Sequence, residues 1–275
     1  MSAIPASAAC ADVSVVIPVF NSGTSAIDAI RSVQAQTVQA REIVVIDDGS
    51  TDGSAATIAE AFEGRALTVR IFSIANGGAA NARNAGILRA TGRHVAFLDS
   101  DDTWLPTKLE RQLAVLGRRP EVGMVGSRTT MGTTLVDRRI DSMDGELEIS
   151  ARAQLFKNFF QTSTVVIRRS VLDQVGLFPT GQRHAEEGDL FIRVAAHSQA
   201  VLLNEVLVDY SNGKGGFGVA GLSANIYKME RGELANIWRA YRRADCSLPV
   251  YAAATAFSLV KFMRRFVIRH LPGKA

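Results

Sequence analysis

The sequence predicts an α/β protein built on a mostly parallel sheet with helices on both faces, and three observations lead to this prediction. Residues 13–19, VSVVIPV, form a near-continuous β-branched run, as expected for a strand buried on both faces. Further short apolar runs, each bounded by turn residues, follow at 42–46, at 67–74 and from His94. Helical segments separate these runs, and strands that alternate with helices indicate βαβ units and a parallel sheet.

The other elements of the first half follow in order. Residues 1–12 are small and alanine-rich, which predicts a loose arm, and Pro18 is expected to end the first strand. The turn DDGSTDGS at 47–54 ends in an N-cap for the second helix, and Pro106 favours the start of the fourth. Helices are predicted over 23–36, 55–62, 79–90 and 106–117, and a further strand over 122–127.

The alternation stops in the second half. Residues 129–148 are polar and match no element, and residues 212–221 form a glycine-rich loop. Helices are predicted over 151–160, 186–197, 222–244 and 249–271, and strands over 162–168 and 201–210. The first half is therefore expected to bind a nucleotide, and the second half to hold the other substrate.

The charge of the chain is unevenly distributed. Residues 246–275 contain five Lys or Arg residues and no acid, and the remainder has 26 basic against 27 acidic residues. A nucleic-acid-binding protein more often carries basic charge on its folded body, so we expect no nucleic-acid partner.

Several features favour a cytoplasmic protein. Cys10 and Cys246 lie far apart and form no metal-type pair, which is typical of a reducing compartment. The first residues lack the pattern of a signal peptide, and no run reaches the roughly 18 to 20 apolar residues that span a bilayer.

An acidic turn follows the strand that begins at His94. In the segment HVAFLDSDDTW, four polar residues, Asp99 to Asp102, follow a buried strand, at the edge where open α/β sheets bind ligands. Asp99 and Asp101 are two residues apart, so in an extended backbone they point the same way. Two such carboxylates suit Mg²⁺ or Mn²⁺. The alternative is an acidic turn that caps the following helix.

Two further turns lie at the same predicted edge. Asp47 and Asp48 end the second strand, where a carboxylate can accept hydrogen bonds from a nucleotide or, alternatively, form an Asx turn. The segment NGGAANARNAG, residues 76–86, matches neither GxGxxG nor GxxxxGK[ST]. Its helix N-terminus can still meet phosphate. Arg83 is either a cationic clamp or a solvated helix residue.

Four segments in this order, VSVVIPVFN, VVIDDGSTDGS, NGGAANARNAG and FLDSDDTWLPTKLE, resemble the family 2 glycosyltransferases of GT-A fold. The resemblance covers residues 13–118 and continues to about 210. It implies metal-dependent, inverting transfer of a sugar from a nucleoside-diphosphate donor, with UDP favoured, to a hydroxyl of a glycan or lipid-linked acceptor. It also implies a role in cell-surface polysaccharide synthesis.

The resemblance divides the chain into a flexible arm at 1–12, a GT-A domain at 13–220 and a helical extension at 221–275. Within the domain, 13–128 is the nucleotide-binding half and 129–220 the acceptor half. It also assigns roles to individual residues. The residues implied to bind the donor are Pro18, Phe20, Asn21, Asp48, Asn76, Arg83, Asp99 and Ser100, and Asp101 is implied to bind Mn²⁺ or Mg²⁺.

The catalytic base is expected in the segment AEEGDLFIRVA, residues 185–195. Members of the family carry a Glu-Asp pair here, with the Asp as the base. Alignment puts Glu186 on the family Glu and Glu187 on the base, which is a departure because Glu is one methylene longer. Asp189 is the reserve candidate. The alternative is an acidic first turn favoured by the helix dipole.

The C-terminal segment is amphipathic. Apolar residues at helical spacing, from Leu259 to Phe266, face away from Lys261, Arg264, Arg265 and Arg269. Such a helix fits an anionic membrane surface, which would place the protein on the inner face of the plasma membrane. The alternative is a terminal helix that packs on its own domain.

Two other function classes remain at this point. A sugar nucleotidyltransferase has a similar half-sheet, but its glycine-rich opening loop with Arg and Lys is missing after Val19. A non-catalytic family member that binds nucleotide or membrane would explain Glu187 in place of Asp.

Overall fold

A computed structural model describes residues 10–64, 68–130, 145–210 and 225–270, with side chains to residue 268. The strands are β1 (Cys10–Val19), β2 (Gln39–Asp47), β3 (Val69–Ser73), β4 (His94–Phe97), β5 (Thr103–Trp104), β6 (Val122–Thr129), β7 (Glu146–Glu148), β8 (Val166–Arg168) and β9 (Gln199–Asp209). The helices are α1 (Gly23–Gln34), α2 (Ser54–Phe62), α3 (Ala79–Arg89), α4 (Lys108–Arg118), α5 (Ala151–Phe156), α6 (Arg169–Val175), α7 (Glu186–His197), α8 (Ile226–Arg242) and α9 (Leu248–His270).

The described strands form one sheet in the order β3-β2-β1-β4-β8-β6-β9-β5, and β7 pairs with β9. The half made of β3, β2, β1 and β4 is entirely parallel. β8 then pairs antiparallel with β4 and β6, whereas β6 and β9 are parallel. Because the first four strands run the same way, the turns that follow them meet at one edge.

Both faces of the sheet are covered, because alternate residues of each strand enter two different cores. Val15 and Ile17 of β1 lie in the core formed with α1, α2 and α4. Val16, between them, lies in the core formed with α3 and α7. Helix α3 approaches β1 so closely that a Cβ on Gly86 would lie 2.3 Å from a methyl of Val16. This contact fixes α3, and the residues that it carries, against the centre of the sheet.

The structure confirms the α/β prediction and changes several details. β1 begins at Cys10, inside the predicted arm, and continues past Pro18 to Val19, so the prediction that Pro18 ends the strand was wrong. Pro18 is aligned with Ile46 of β2 in the parallel register. The predicted strand at 162–168 is a 3₁₀ turn followed by β8, and α6 was not predicted.

Several predictions fall outside the described residues. They are the arm at 1–9, most of the polar segment, at 131–144, and the glycine-rich loop, within 211–224. None of the described helices combines the length and apolar character needed to cross a bilayer.

The C-terminal helices α8 and α9 pack against each other, and α8 also packs against α7 while α9 packs against α5. Ion pairs join Lys261 of α9 to Glu233 of α8 at 3.3 Å, and Arg265 to Glu230 at 2.8 Å. The prediction of a fully separate basic face was therefore wrong for Lys261 and Arg265, which lie against α8. The outward face of α9 is mainly apolar, with Val260, Met263 and Ile268 all exposed.

Glu42 of β2 joins three parts of the parallel half of the sheet, at the edge opposite the turns. It accepts hydrogen bonds from Ser14, from the amide and hydroxyl of Thr91, and from Arg70, all at 2.7 Å. Burial by itself raises the pKa of Glu42, but these hydrogen bonds outweigh it and lower the pKa to about 2.

A depressed pKa stabilises the folded state above the unfolded-state pKa, and this contribution is lost as the pH falls toward the folded-state pKa. We therefore expect Glu42 to account for about 2–3 kcal/mol of unfolding free energy that disappears between about pH 5 and pH 2. Urea unfolding across this range should show a flatter pH dependence for Glu42→Gln than for wild type. Equal dependence in both proteins would contradict the assignment.

Candidate active site

The turns after β1 and β2 are joined by hydrogen bonds to form one wall of the site. Asn21, which has a φ of 49°, accepts from the amide of Thr51 and donates its own amide to Ser50, both at 2.9 Å. The Ser54 hydroxyl accepts from the amides of Ser22 and Gly23. These bonds fix the position of the turn after β1 relative to the turn after β2, and both turns were predicted to bind the nucleotide. Phe20 is 51% exposed next to them.

Asp48 organises the turn that precedes α3. Its two carboxylate oxygens accept from the amides of Gly77 and Gly78, each at 2.8 Å, and its carbonyl accepts from the side chain of Asn76 at 2.8 Å. Asp48 is buried. The structure thus brings the predicted residues Asp48 and Asn76 into direct contact and shows that both help to shape this loop.

The acidic turn after β4 has differently placed carboxylates. Asp102 is buried and accepts from the Ser163 hydroxyl, while Asp99 is partly exposed and Asp101 is exposed. The Ser100 hydroxyl lies 2.9 Å from that of Ser22, so this turn is tied to the turn after β1. The predicted donor and metal residues therefore share one sheet edge.

Arg83 of α3 is buried between two carboxylates. Its Nη2 donates to Asp99 Oδ1 at 2.7 Å, and its Nη1 donates to Glu186 Oε1 at 2.8 Å. The alternative of a solvated helix residue was wrong, because Arg83 is buried and pairs with two acids. Arg83 thus links the acidic turn after β4 to the first turn of α7.

The start of α7 is held by a turn in a strained backbone conformation. Ala185, which precedes the helix, has a φ of 55°, in the left-handed region. Its carbonyl accepts from the Asn236 side chain at 2.6 Å. Asn236 belongs to α8, and so does Gly232, where a Cβ would lie 2.2 Å from the His184 carbonyl oxygen. The close approach of α8 to this turn therefore requires glycine at position 232. Helix α8 thus sets where the acidic first turn of α7 lies.

Glu187 combines partial burial with a nearby like charge. Burial raises its pKa most, the Glu186 carboxylate raises it further, and the value reaches about 7 although Arg83 acts in the opposite direction. The Asn158 side-chain amide donates to Glu187 Oε1 at 3.2 Å. A carboxylate with this pKa is ionised in an appreciable fraction near neutral pH and is basic enough to accept a proton.

Asp189 has a structural environment. Its buried carboxylate accepts from Arg193 at 2.9 Å, from Arg239 at 3.0 Å and from Arg243 at 2.9 Å. Burial raises the pKa of Asp189, but the three cations more than offset this and lower it. A carboxylate stabilised as an anion in this way is a poor proton acceptor, which argues against the reserve assignment of Asp189 as the base.

Tyr210, directly after β9, was not predicted as a site residue. Burial, then the charges of Asp102, Asp99, Asp101 and Glu187, raise the pKa of its phenol to about 12. The phenol therefore lies within electrostatic reach of both the acidic turn after β4 and Glu187. Antiparallel pairing explains this position, because Asp209 is aligned with Thr103, just after the acidic turn.

The oxygen donors of the acidic turn suit a hard divalent cation. Among the described residues, no group of three or more His, Cys, Asp or Glu side chains is arranged to hold a metal ion. One or two carboxylates are enough for an ion of this kind. Mg²⁺ and similar ions are commonly held in this way, with substrate phosphates and water completing the shell.

A parallel half-sheet with an acidic edge, next to a second half that carries a further carboxylate pair, is the arrangement of a GT-A glycosyltransferase. The chain belongs to glycosyl transferase family 2, whose model matches residues 14–176. A Rickettsia bellii relative, described as an uncharacterized glycosyltransferase, is 34% identical over 196 residues, which are 68% of this chain. The match spans only 27% of that relative's length.

Two solved structures have the same fold. S. aureus TarS 1–349 in complex with UDP-GlcNAc has a TM-score of 0.66 at 19% identity, over 93% of this chain and 72% of that one. Mannosyltransferase PcManGT from Pyrobaculum calidifontis, in complex with GDP-Man and Mn²⁺, has a TM-score of 0.68 at 19% identity, over 96% and 76%. These likenesses confirm the predicted GT-A architecture.

Proposed function

We propose that the chain transfers a sugar, with inversion, from a nucleoside-diphosphate sugar to an acceptor hydroxyl, with Glu187 as the base. The observation that supports this best is that Arg83 joins the acidic turn after β4 to the first turn of α7. Its guanidinium pairs with Asp99 at 2.7 Å and with Glu186, the neighbour of Glu187, at 2.8 Å. Direct displacement needs a leaving-group side and a base side around one reacting centre.

Each group on the chain has a distinct task in this mechanism. The turns at Asn21 and Asp48 receive the nucleoside, Asp99 and Ser100 contact the ribose or the donor sugar, and Asp101 holds Mn²⁺ or Mg²⁺. When bound, the cation stabilises negative charge on the diphosphate leaving group. Glu187 removes the proton from the acceptor hydroxyl as the new bond forms.

The substrate classes are proposed on wider grounds. UDP is the favoured nucleotide because of the family resemblance, and one structural neighbour is a complex with UDP-GlcNAc. The acceptor is a glycan or lipid-linked hydroxyl in cell-surface polysaccharide synthesis. Residues 13–128 would bind the donor, residues 129–220 the acceptor, and residues 221–275 would support the second half.

A donor panel tests the reaction. Purified protein is incubated with UDP-, TDP- and GDP-sugars, with Mn²⁺ or Mg²⁺ and candidate acceptors, and the released nucleotide is identified. Nucleoside diphosphate is the expected product. Pyrophosphate would instead indicate a nucleotidyltransferase, and nucleotide binding without turnover on any donor would favour a non-catalytic family member.

We further propose that the outward face of α9 contacts an anionic membrane on the cytoplasmic side. Val260, Met263 and Ile268 are 65%, 55% and 63% exposed, and the exposed Arg264 lies among them. The terminal 30 residues carry five basic residues and no acid, and two of the five, Lys261 and Arg265, pair with Glu233 and Glu230 of α8. Exposed apolar area combined with excess positive charge is the composition that binds anionic lipid surfaces.

Flotation with phosphatidylglycerol vesicles checks this contact. We expect wild type to float with these vesicles but not with phosphatidylcholine vesicles, and Val260→Glu or Met263→Glu to reduce the bound fraction several-fold. Leu88→Glu is the matched control, because Leu88 is 72% exposed on α3, away from this face. Equal binding by all variants, or concentration-dependent dimers that Met263→Glu abolishes, would contradict the membrane contact.

A further inference from the structure

We propose that Arg83 is a positioning residue for the transfer reaction, which holds the donor-side Asp99 and the base-bearing first turn of α7 in one fixed arrangement. This inference rests on the proposed function, since it assumes that Glu187 is the base. Arg83 itself contacts neither the acceptor hydroxyl nor the diphosphate in this scheme. Its role is exerted through Asp99 and Glu186.

Geometry first supports the proposal. The Arg83 guanidinium is buried and donates one hydrogen bond to Asp99, at 2.7 Å, and one to Glu186, at 2.8 Å. These carboxylates lie 87 positions apart along the chain and are separated by several elements of the fold. A single planar cation with rigidly spaced donors therefore fixes the distance between them.

The support behind Arg83 is also rigid. The Phe178 ring lies 5.6 Å from the guanidinium carbon. Phe178 is held in turn by Asn84, which donates to its carbonyl and accepts from its amide, both at 2.9 Å. Since Asn84 follows Arg83 on α3 and α3 is packed tightly on β1, the guanidinium has little freedom to move.

The charges around Glu187 make the role of Arg83 measurable as a shift in the pKa of Glu187. The charged and titratable groups that act on Glu187 are Glu186 on its own helix, Asp99 from the acidic turn and Arg83 from α3. The charge of Glu187 in turn contributes to the raised pKa of the Tyr210 phenol, and the Asn158 amide donates to Glu187. Arg83 favours the ionised form of Glu187, whereas Glu186 and Asp99 disfavour it.

Removing Arg83 and Glu186 one at a time should therefore shift the pKa of Glu187 in opposite directions. We expect Arg83→Gln to move the acidic limb of the kcat/KM pH profile upward, and Glu186→Gln to move it downward, each by about half a pH unit or more. The double variant should lie near the wild-type limb, because both charges are absent. Arg83→Lys keeps the charge but loses the two-pronged geometry, so we expect a lower kcat with little shift of the limb.

Arg70→Gln is the matched control. It breaks a 2.7 Å ion pair with the buried Glu42 on the opposite edge of the sheet, so it should lower the melting temperature without moving the limb. Limbs that stay at the wild-type pH in both Arg83→Gln and Glu186→Gln would overturn the proposal, and so would shifts of the same sign. If Arg83→Gln does not fold, the direction of the Glu186→Gln limb together with the kcat of Arg83→Lys decides the matter.

The wild-type and Glu187→Gln profiles separate this test from the proposed function. If Glu187→Gln keeps the wild-type rate and limb, the base assignment fails, and the role of Arg83 as a support for that base falls with it. If Glu187→Gln loses activity but the paired shifts are missing, the base assignment stands and only the Arg83 proposal is overturned.

Discussion

Glu187→Gln is expected to lower kcat by about 10²- to 10⁴-fold, the range typical of a removed general base. Glutamine preserves the size and the hydrogen-bonding shape of the side chain but cannot accept the proton of the acceptor hydroxyl. Because the pKa of Glu187 is raised to about 7, wild-type activity should also fall as the pH drops below this value and the base becomes protonated. Released nucleoside diphosphate, measured from pH 5 to pH 9, reports both effects.

Two comparisons make this result specific. Glu187→Asp keeps the carboxylate and shortens the side chain by one methylene, so it should retain part of the activity. Asp189→Asn replaces the carboxylate that binds three arginines by a neutral amide, so its main effect should be a lower melting temperature. A wild-type rate in folded Glu187→Gln, or a larger catalytic loss in folded Asp189→Asn, would show that the base lies elsewhere.

Asp101→Asn is expected to reduce kcat by about 10²- to 10³-fold at a fixed Mn²⁺ concentration, because stabilisation of the leaving diphosphate by a cation contributes several kcal/mol. Asparagine keeps the shape of the turn but removes the negative charge that attracts the cation. Activity measured over a Mn²⁺ titration should show a much higher half-saturating concentration for the variant.

Asp28→Asn provides the comparison for Asp101. Asp28 is an exposed aspartate on α1 whose side chain pairs only loosely with Arg31, at 3.4 Å, so its loss should leave the Mn²⁺ titration unchanged. An identical titration for Asp101→Asn and wild type would remove Asp101 from the metal site. Full activity of wild type in the presence of excess chelator would contradict metal dependence as a whole.

The first half of the fold could be predicted closely because its signals are local. Continuous β-branched runs predicted β1 and β2, and helix α7 was predicted with the observed bounds, Glu186 to His197. Pro18 was misjudged because a proline is compatible with a strand where its missing N–H is not needed. The very short β5 and β7 could not be predicted, since two or three residues carry no periodicity and depend on their pairing with β9.

The site was predicted less completely, because its contacts join distant segments. The sequence placed Asp48, Asn76 and Asp99 at one edge, and the structure brings them there. Nothing local to Arg83 revealed that two acids would neutralise it, since one of them lies 103 positions away. Tyr210 was missed for the same reason: its relevance follows from the register between β5 and β9, which no motif in the chain encodes.

The three arginines on Asp189 limit how far the chain can be shortened before its fold loses stability. The family model ends at residue 176, before α7, whereas Arg239 and Arg243 belong to the end of α8. A truncated protein that stops after β9 would leave a buried carboxylate without two of its three cations, a loss of the kind that costs about 3–5 kcal/mol. Expression trials for crystallisation or assay should therefore retain the chain at least through Arg243, even though the recognisable motifs finish long before it.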